Sequence, residues 1–357
     1  MTVGYHGNDM IPNFSLLEGD YLRDLLDEPD VLARTLGGLK ESADLSKLAQ
    51  DLERGAFRRV VLTGMGASYY ALHPLFLSLN KVGITTLMLE TSELIHWMPE
   101  ILDATTLVVV VSQSGKSVEV IRLLDLRIPV RILAVTNHAN SELAQRADAV
   151  VLTQAGEESS VSCKTYVATL LALQWLRGVL CRNDLVRVTE ELSEAAPAAE
   201  RYLKVWRDHV RELLSEMKDV KHLFLVGRGE SLAAVGTGGL ILKESAKFHA
   251  EGMSSAAFRH GPFEMVGAGV YVLIFAGADA ASPLNKNLAH DVRKAGGRAA
   301  LVGPEAESSV YRLPGPWSLI SPVLEILPVQ MMSLALAGLA NREPGKFELI
   351  AKVTTVE

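Results

Sequence analysis

Four consecutive valines, Val108 to Val111, form an apolar β-branched run with no alternation. That is the pattern of a parallel strand covered on both faces. The run stops at Ser112-Gln113-Ser114-Gly115-Lys116-Ser117, and apolar residues then recur at helical spacing through Val118, Val120, Ile121 and Leu124. The pattern predicts strand, hydroxyl-rich turn and helix in succession. Such a junction gathers hydroxyls, free backbone N–H groups and the positive end of a helix at one point, which suits an anion, most often phosphate. The same pattern describes an ordinary connection whose serines merely cap the helix. The residues alone weigh the two readings about equally.

The rhythm recurs along the chain. Arg59 to Thr63 predicts a strand running into Gly64-Met65-Gly66-Ala67-Ser68, where two glycines permit a tight turn and Ser68 opens a helix over Tyr69 to Leu79. Thr85 to Leu89, Val130 to Val135 and Val150 to Leu152 predict further strands, and the loop Gly156 to Thr165 opens an apolar helix over Tyr166 to Leu176. Residues 182–222 are highly charged, with Leu, Val and Trp at helical intervals, and read as helices bridging two domains. Leu223 to Val226 then leads into Gly227-Arg228-Gly229-Glu230-Ser231, and Val270 to Phe275 and Ala299 to Val302 predict two more strands. One fold is used twice: an α/β protein with two tandem doubly wound parallel sheets, three layers each, and ligands at the carboxyl ends of the strands. The second copy has Ala276-Gly277-Ala278-Asp279 in place of the serine loop, so only the first half is expected to hold phosphate. Before both copies, Asp27-Glu28-Pro29-Asp30 starts a helix whose stripe, Val31, Leu32, Leu36 and Leu39, could face the body or a second subunit. The expected divisions are a helical lead over 1–56, domains over 57–185 and 218–340, a helical linker over 186–217 and a tail over 341–357.

Composition narrows the function. Of 357 residues, 48% are hydrophobic and 22% charged, as in a globular protein, and a net charge of -7 argues against nucleic acid or an anionic membrane as partner. Cys163 and Cys181 form neither a ligand cluster nor a disulfide framework. With no signal-peptide pattern and no uncharged run of membrane-spanning length, a cytoplasmic protein is expected. Neither Gly-x-Gly-x-x-Gly with a following ribose acid nor a Walker lysine occurs, which argues against dinucleotides and ATP.

Taken together, Gly64 to Ser68, Ser112 to Ser117 and the lysine-bearing loop Ser162-Cys163-Lys164 resemble the sugar isomerase (SIS) domain. Leu242-Lys243-Glu244, His249-Ala250-Glu251, Arg259-His260-Gly261-Pro262 and the tail Ala351 to Glu357 extend the resemblance to the isomerase half of the glucosamine-6-phosphate synthase (glutamine–fructose-6-phosphate aminotransferase) family. It covers roughly residue 25 to the end. The resemblance implies phosphosugar chemistry with no metal or organic cofactor, in a homodimer whose sites are shared between subunits. Ser68, Ser112, Gln113, Ser114 and Ser117, with Gly66 in the first turn, match the substrate and phosphate positions; Ser162 matches a sugar contact, in a loop one residue shorter than the synthase pattern. Glu244 matches the base that moves a proton between C1 and C2, on an apolar helix expected to raise its pKa. His260 matches the residue that helps open the sugar ring and reaches into the partner's site, and Lys352 the amine that meets the open-chain carbonyl.

The family's glutaminase half would need a catalytic cysteine at the mature N-terminus, whereas this sequence begins Met1-Thr2-Val3, so ammonia delivery from glutamine is not expected here. The synthase helix also carries a glutamate seven residues before the base and a lysine three before it; Thr237 and Ile241 stand there instead. That predicts an uncharged, roomier wall and a different amine or sugar. The expected function is an isomerase-type enzyme acting on an amino-sugar phosphate or a phosphorylated sugar–amine adduct. The alternative is a non-catalytic sugar-phosphate sensor.

Overall fold

A computed structural model describes residues 14–278 and 281–349. Five strands, β1 (Arg59–Gly64), β2 (Thr86–Glu90), β3 (Thr106–Val111), β4 (Arg131–Thr136) and β5 (Ala149–Leu152), form a sheet in the order β2-β1-β3-β4-β5, every neighbouring pair parallel. All six residues of β3 are buried. Leu107, Val109 and Val111 enter one core cluster while Val108 and Val110 enter another on the opposite face. The unalternating valine run thus serves a strand with helices on both sides.

A second sheet contains β6 (His222–Gly227), β7 (Ala250–Ser254), β8 (Val270–Phe275) and β9 (Arg298–Val302) in the order β7-β6-β8-β9, again all parallel. One core cluster takes side chains from both sheets and from the long helices Lys164–Leu180 and Leu232–Ala246, which lie between them. The chain leaves β1 for β2 on one side and reaches β3 on the other, and β6 stands likewise between β7 and β8. Each sheet therefore has a crevice at the carboxyl ends of its two central strands, where ligands bind in such sheets.

Two elements depart from the sequence reading, and one question it left open is settled. The helix expected over Tyr69 to Leu79 is broken: Ala67–Tyr70 is one helix, and a second, His73–Lys81, restarts with Pro74 in its first turn. Proline lacks the N–H of an uninterrupted helix but fits a helix start. Strand β7, Ala-Glu-Gly-Met-Ser, has no apolar run to announce it; it is an edge strand ordered by pairing with β6. The open question of the Val31 stripe resolves onto the body. The helix Glu28–Gly38 packs on Lys164–Leu180 and on Ala195–Leu203, with Val31 and Leu32 fully buried.

The charged stretch after the first sheet folds as the helices Leu185–Ser193, Ala195–Leu203 and Trp206–Met217. Ser321–Leu339 is long and apolar enough to cross a bilayer, but 89% of it is buried inside the protein, so it serves as core.

Candidate functional site

The crevice between the carboxyl ends of β1 and β3 is a cleft of ≈ 340 Å³. Gly66, Ser68, Ser112, Gln113, Ser114, Ser117, Ser162 and Glu244 all line it, so the structure gathers eight of the ten residues named from the sequence. His260 does not line it: it lies exposed at the end of the helix Ser255–Arg259, beside β7 at the edge of the second sheet. Lys352 lies outside the described residues.

The serine loop is fastened to its neighbours by main-chain bonds. Ser112 N–H donates to Val135 O at 3.1 Å, Asn137 N–H to Gln113 O at 3.1 Å and Leu143 N–H to Gly115 O at 3.0 Å. Gly115 has φ +61, and a Cβ there would stand 2.3 Å from Ser141 Oγ, so no other residue fits. Within the loop, Gly115 N–H donates to Ser112 Oγ at 3.1 Å and Lys116 N–H to Ser114 Oγ at 3.3 Å. Each hydroxyl is oriented as an acceptor and keeps its own proton for an anion in the cleft. Ser117 is the N-cap of the helix Val118–Asp125 yet makes no capping bond with its side chain. Ser68 Oγ is also without a hydrogen bond among the described residues. The reading in which the serines merely cap the helix therefore loses its support, because the capping hydroxyl is left unused.

Across the cleft, Leu240 and Glu244 come from the helix Leu232–Ala246, one turn apart on one face. Glu244 is half-buried there. Thr237 and Ile241 are fully buried and do not line the cleft, so the roomier wall expected from these two departures is not what the structure shows. Helix packing draws them into the core between the sheets.

Two further carboxylates line the cleft without having been singled out in the sequence. Glu158 Oε1 accepts the N–H groups of Cys163 and Thr165, both at 3.0 Å, and its Oε2 accepts Thr165 Oγ1 at 2.7 Å. It caps the helix Lys164–Leu180 from a distance and shapes the wall holding Ser162 and Thr165. Glu119, in the first turn after the serine loop, is only 6% exposed, and its Oε2 has no partner. An acid in a helix's first turn ordinarily reads as dipole compensation, which hid its position from the sequence.

Lys164 turns away from the cleft. Its ammonium pairs with Asp24 and Asp27 of the N-terminal helical region, each at 3.0 Å. Burial pulls its pKa down, but the two aspartates outweigh that and hold it above the ordinary lysine value. The cleft wall among the described residues thus carries three carboxylates and neither lysine nor arginine. No cluster of three or more His, Cys, Asp or Glu able to hold a metal ion occurs among the described residues. The C-terminal segment also reaches the site: Gly345 N–H donates to Ser245 O at 3.0 Å, Lys247 Nζ to Lys346 O at 3.1 Å, and Phe347 lines the cleft.

This geometry sits on a chain with recognisable relatives. The family model described as the SIS domain matches residues 57–176 and 216–340. A glutamine–fructose-6-phosphate aminotransferase (isomerizing) of Thermococcus kodakarensis is 28% identical over 360 residues, covering 94% of this chain and 58% of that protein. One from Pyrobaculum aerophilum is 29% identical over 351 residues, covering 94% of this chain and 57% of its own. The chain thus spans less than two thirds of the length of these relatives. Among solved structures, the C-terminal domain of glucosamine-fructose-6-phosphate aminotransferase from Francisella tularensis superposes with a TM-score of 0.79 at 21% identity, covering 92% of this chain and 98% of that one. Glucosamine-6-phosphate deaminase from Thermotoga maritima gives 0.76 at 19% identity, with 95% and 100% covered. With both sheets matched by the family model and the serine loop at the head of the first crevice, the chain belongs to the SIS domain family and resembles the isomerase half of the glutamine–fructose-6-phosphate aminotransferases.

Proposed function

We propose that this protein is a phosphosugar isomerase-type enzyme acting on an amino-sugar phosphate or a phosphorylated sugar–amine adduct. The observation that carries the reading is the placement of Glu244 in the same cleft as the hydroxyls of the Ser112–Ser117 loop. In this reading the phosphate sits on Ser68, Gln113, Ser114 and Ser117 at the head of the helix Val118–Asp125, and the sugar carbons extend toward Glu244. A carboxylate there takes the proton from one of C1 and C2 and returns it to the other, through an enediol or enolamine, as a C–N bond breaks or forms. An amine on the substrate fits a wall with three carboxylates and no cation among the described residues.

Two roles reach beyond the cleft's described wall. Lys352, five residues after Phe347 in the sequence and outside the described residues, is the amine that meets the sugar carbonyl in this reading. The exposure of His260 at the edge of the second sheet suits a residue that completes the site of a second subunit in a homodimer. The names of the relatives agree with this chemistry, since they describe an isomerizing aminotransferase and an amino-sugar phosphate deaminase.

The test is turnover of glucosamine 6-phosphate and of 6-phosphorylated fructosamines in heavy water, following ammonia or amino-acid release and deuterium in the product. We expect deuterium at the carbon that receives the proton, and a loss of at least about 100-fold in Glu244→Gln with sugar-phosphate binding kept. Full activity in Glu244→Gln overturns the mechanism, and no turnover of any of these compounds favours a sugar-phosphate sensor instead.

A further inference from the structure

A second cleft, of ≈ 600 Å³, opens at the carboxyl ends of β6 and β8, the place in the second sheet that corresponds to the first cleft in the first. Gly229 and Glu230 line it after β6, and Ala278 and Ala281 after β8. Its volume suits an organic molecule rather than a bare ion.

Its charge is unlike that of the first cleft. Four basic side chains, Lys81, Arg177, Arg187 and Arg228, face three acidic ones, Asp184, Glu191 and Glu230. The acids are already engaged. Asp184 Oδ1 accepts the N–H groups of Val186 and Arg187 at 3.0 and 3.3 Å, Glu191 Oε1 accepts Leu319 N–H at 2.6 Å, and Glu230 Oε1 pairs with Arg177 at 3.2 Å. The side chains of Lys81, Arg187 and Arg228 form neither a hydrogen bond nor an ion pair among the described residues, and Arg228 Nε is buried without an acceptor. Lys81 also lies within electrostatic reach of Glu230, whereas the Arg187 and Arg228 side chains, which have no acceptor among the described residues, are what an anionic ligand would engage, and guanidinium groups match phosphate oxygens in pairs. Trp317, half-buried in the wall, offers a flat apolar face beside them.

We propose that this second cleft binds a phosphorylated small molecule, with Lys81, Arg187 and Arg228 on its phosphate and Trp317 against its organic part. The site is an effector site, because two rigid helices connect it to the first cleft. The helix Leu232–Ala246 follows directly from Gly229–Ser231 in the second cleft and carries Glu244 into the first. The helix Lys164–Leu180 starts beside Ser162 in the first cleft and carries Gln174 and Arg177 into the second. A ligand that draws Arg177 or the Gly229 turn toward itself moves a helix end in the other cleft as well. The proposal does not depend on which reaction the first cleft runs.

The probe is pyrophosphate, titrated calorimetrically into the full chain at physiological ionic strength. The first cleft is weakened beforehand by Ser114→Ala with Gln113→Ala. We expect that variant to bind pyrophosphate at one equivalent per chain. Adding Arg187→Ala and Arg228→Ala is expected to weaken binding at least tenfold, while Arg187→Lys with Arg228→Lys keeps part of it. Absence of binding, or equal affinity with and without the two arginines, overturns the site. Amide exchange reads the coupling: slowing around Glu244 supports it, and protection confined to the second cleft overturns it.

Discussion

Lys164 Nζ stands 3.0 Å from Asp24 Oδ1, and this ion pair fastens the loop beside the candidate active cleft to the N-terminal helix Asp20–Leu26. Asp27 takes a second contact to the same ammonium at 3.0 Å, and Asp24 Oδ2 accepts the Ser160 hydroxyl at 2.9 Å. The N-terminal region thereby becomes part of the wall of the cleft, since Ser162 and Thr165 lie on the loop it holds.

Removing the lysine leaves Asp24 with a tenth of its side chain exposed and no cation. Breaking a buried pair from one side costs about 3–5 kcal/mol. Lys164→Ala is expected to lose about 3 kcal/mol in urea unfolding, with sugar-phosphate affinity falling as the loop loosens. A loss below about 1 kcal/mol would place the pair with solvent-screened ones.

Phosphate recognition is tested directly at the loop. Hydrogen bonds to a charged group contribute roughly 1.5–3 kcal/mol each. Ser114→Ala together with Gln113→Ala should weaken sugar-phosphate binding by at least about 10-fold in calorimetry, with the fold intact by circular dichroism. Unchanged affinity would put the phosphate elsewhere.

The proposed sharing of the site between subunits has its own test. Glu244→Gln and His260→Ala chains are each expected to be inactive alone. In a mixed dimer one of the two sites contains both native residues, so activity should return to roughly a quarter of the wild-type value when the subunits mix at random. Verified mixed dimers without recovery would mean that both residues act within one chain.

Glu325 sets a pH dependence of stability. It is fully buried, Ser231 donates to its Oε1 at 2.8 Å, and its Oε2 has no partner. Burial foremost pushes its carboxyl up to about 8, with Glu230 adding to the rise and the Ser231 hydrogen bond opposing it. The folded state therefore holds a proton that the unfolded chain releases near pH 4.5. Stability is fully present below that pH, falls by up to about 1.4 kcal/mol per pH unit toward pH 8, and levels above it. Glu325→Gln keeps the shape and removes the titration, so it should be more stable than wild type at pH 8 and show a shallower slope in urea unfolding from pH 5 to 9. Glu28, also buried and raised, supplies a remaining slope. An identical slope in the variant would show that Glu325 does not titrate in this range.

What the sequence determined on its own is what short-range pattern encodes. An unalternating apolar run marks a strand buried on both faces, and β3, β6 and β8 follow from that rule. A glycine or serine turn between strand and helix marks a ligand crevice, and the residues of those turns line the first cleft. The family motifs Gly64 to Ser68 and Ser112 to Ser117 lie at such junctions, whereas Glu244 stands near the far end of the helix Leu232–Ala246. Tertiary structure decided whatever depends on which distant segments meet. Strand β7 has no local signal and exists through its pairing with β6. Lys164 faces Asp24 rather than the cleft, and Thr237 and Ile241 face the core rather than the cleft wall, because the packing of helices around them settles their direction. Glu119 and Glu158 enter the cleft for the same reason, and the second cleft gathers cations from three regions of the chain, around Lys81, Arg177 to Arg187, and Arg228. Periodicity is a property of neighbours in sequence, whereas burial and charge pairing are properties of neighbours in space.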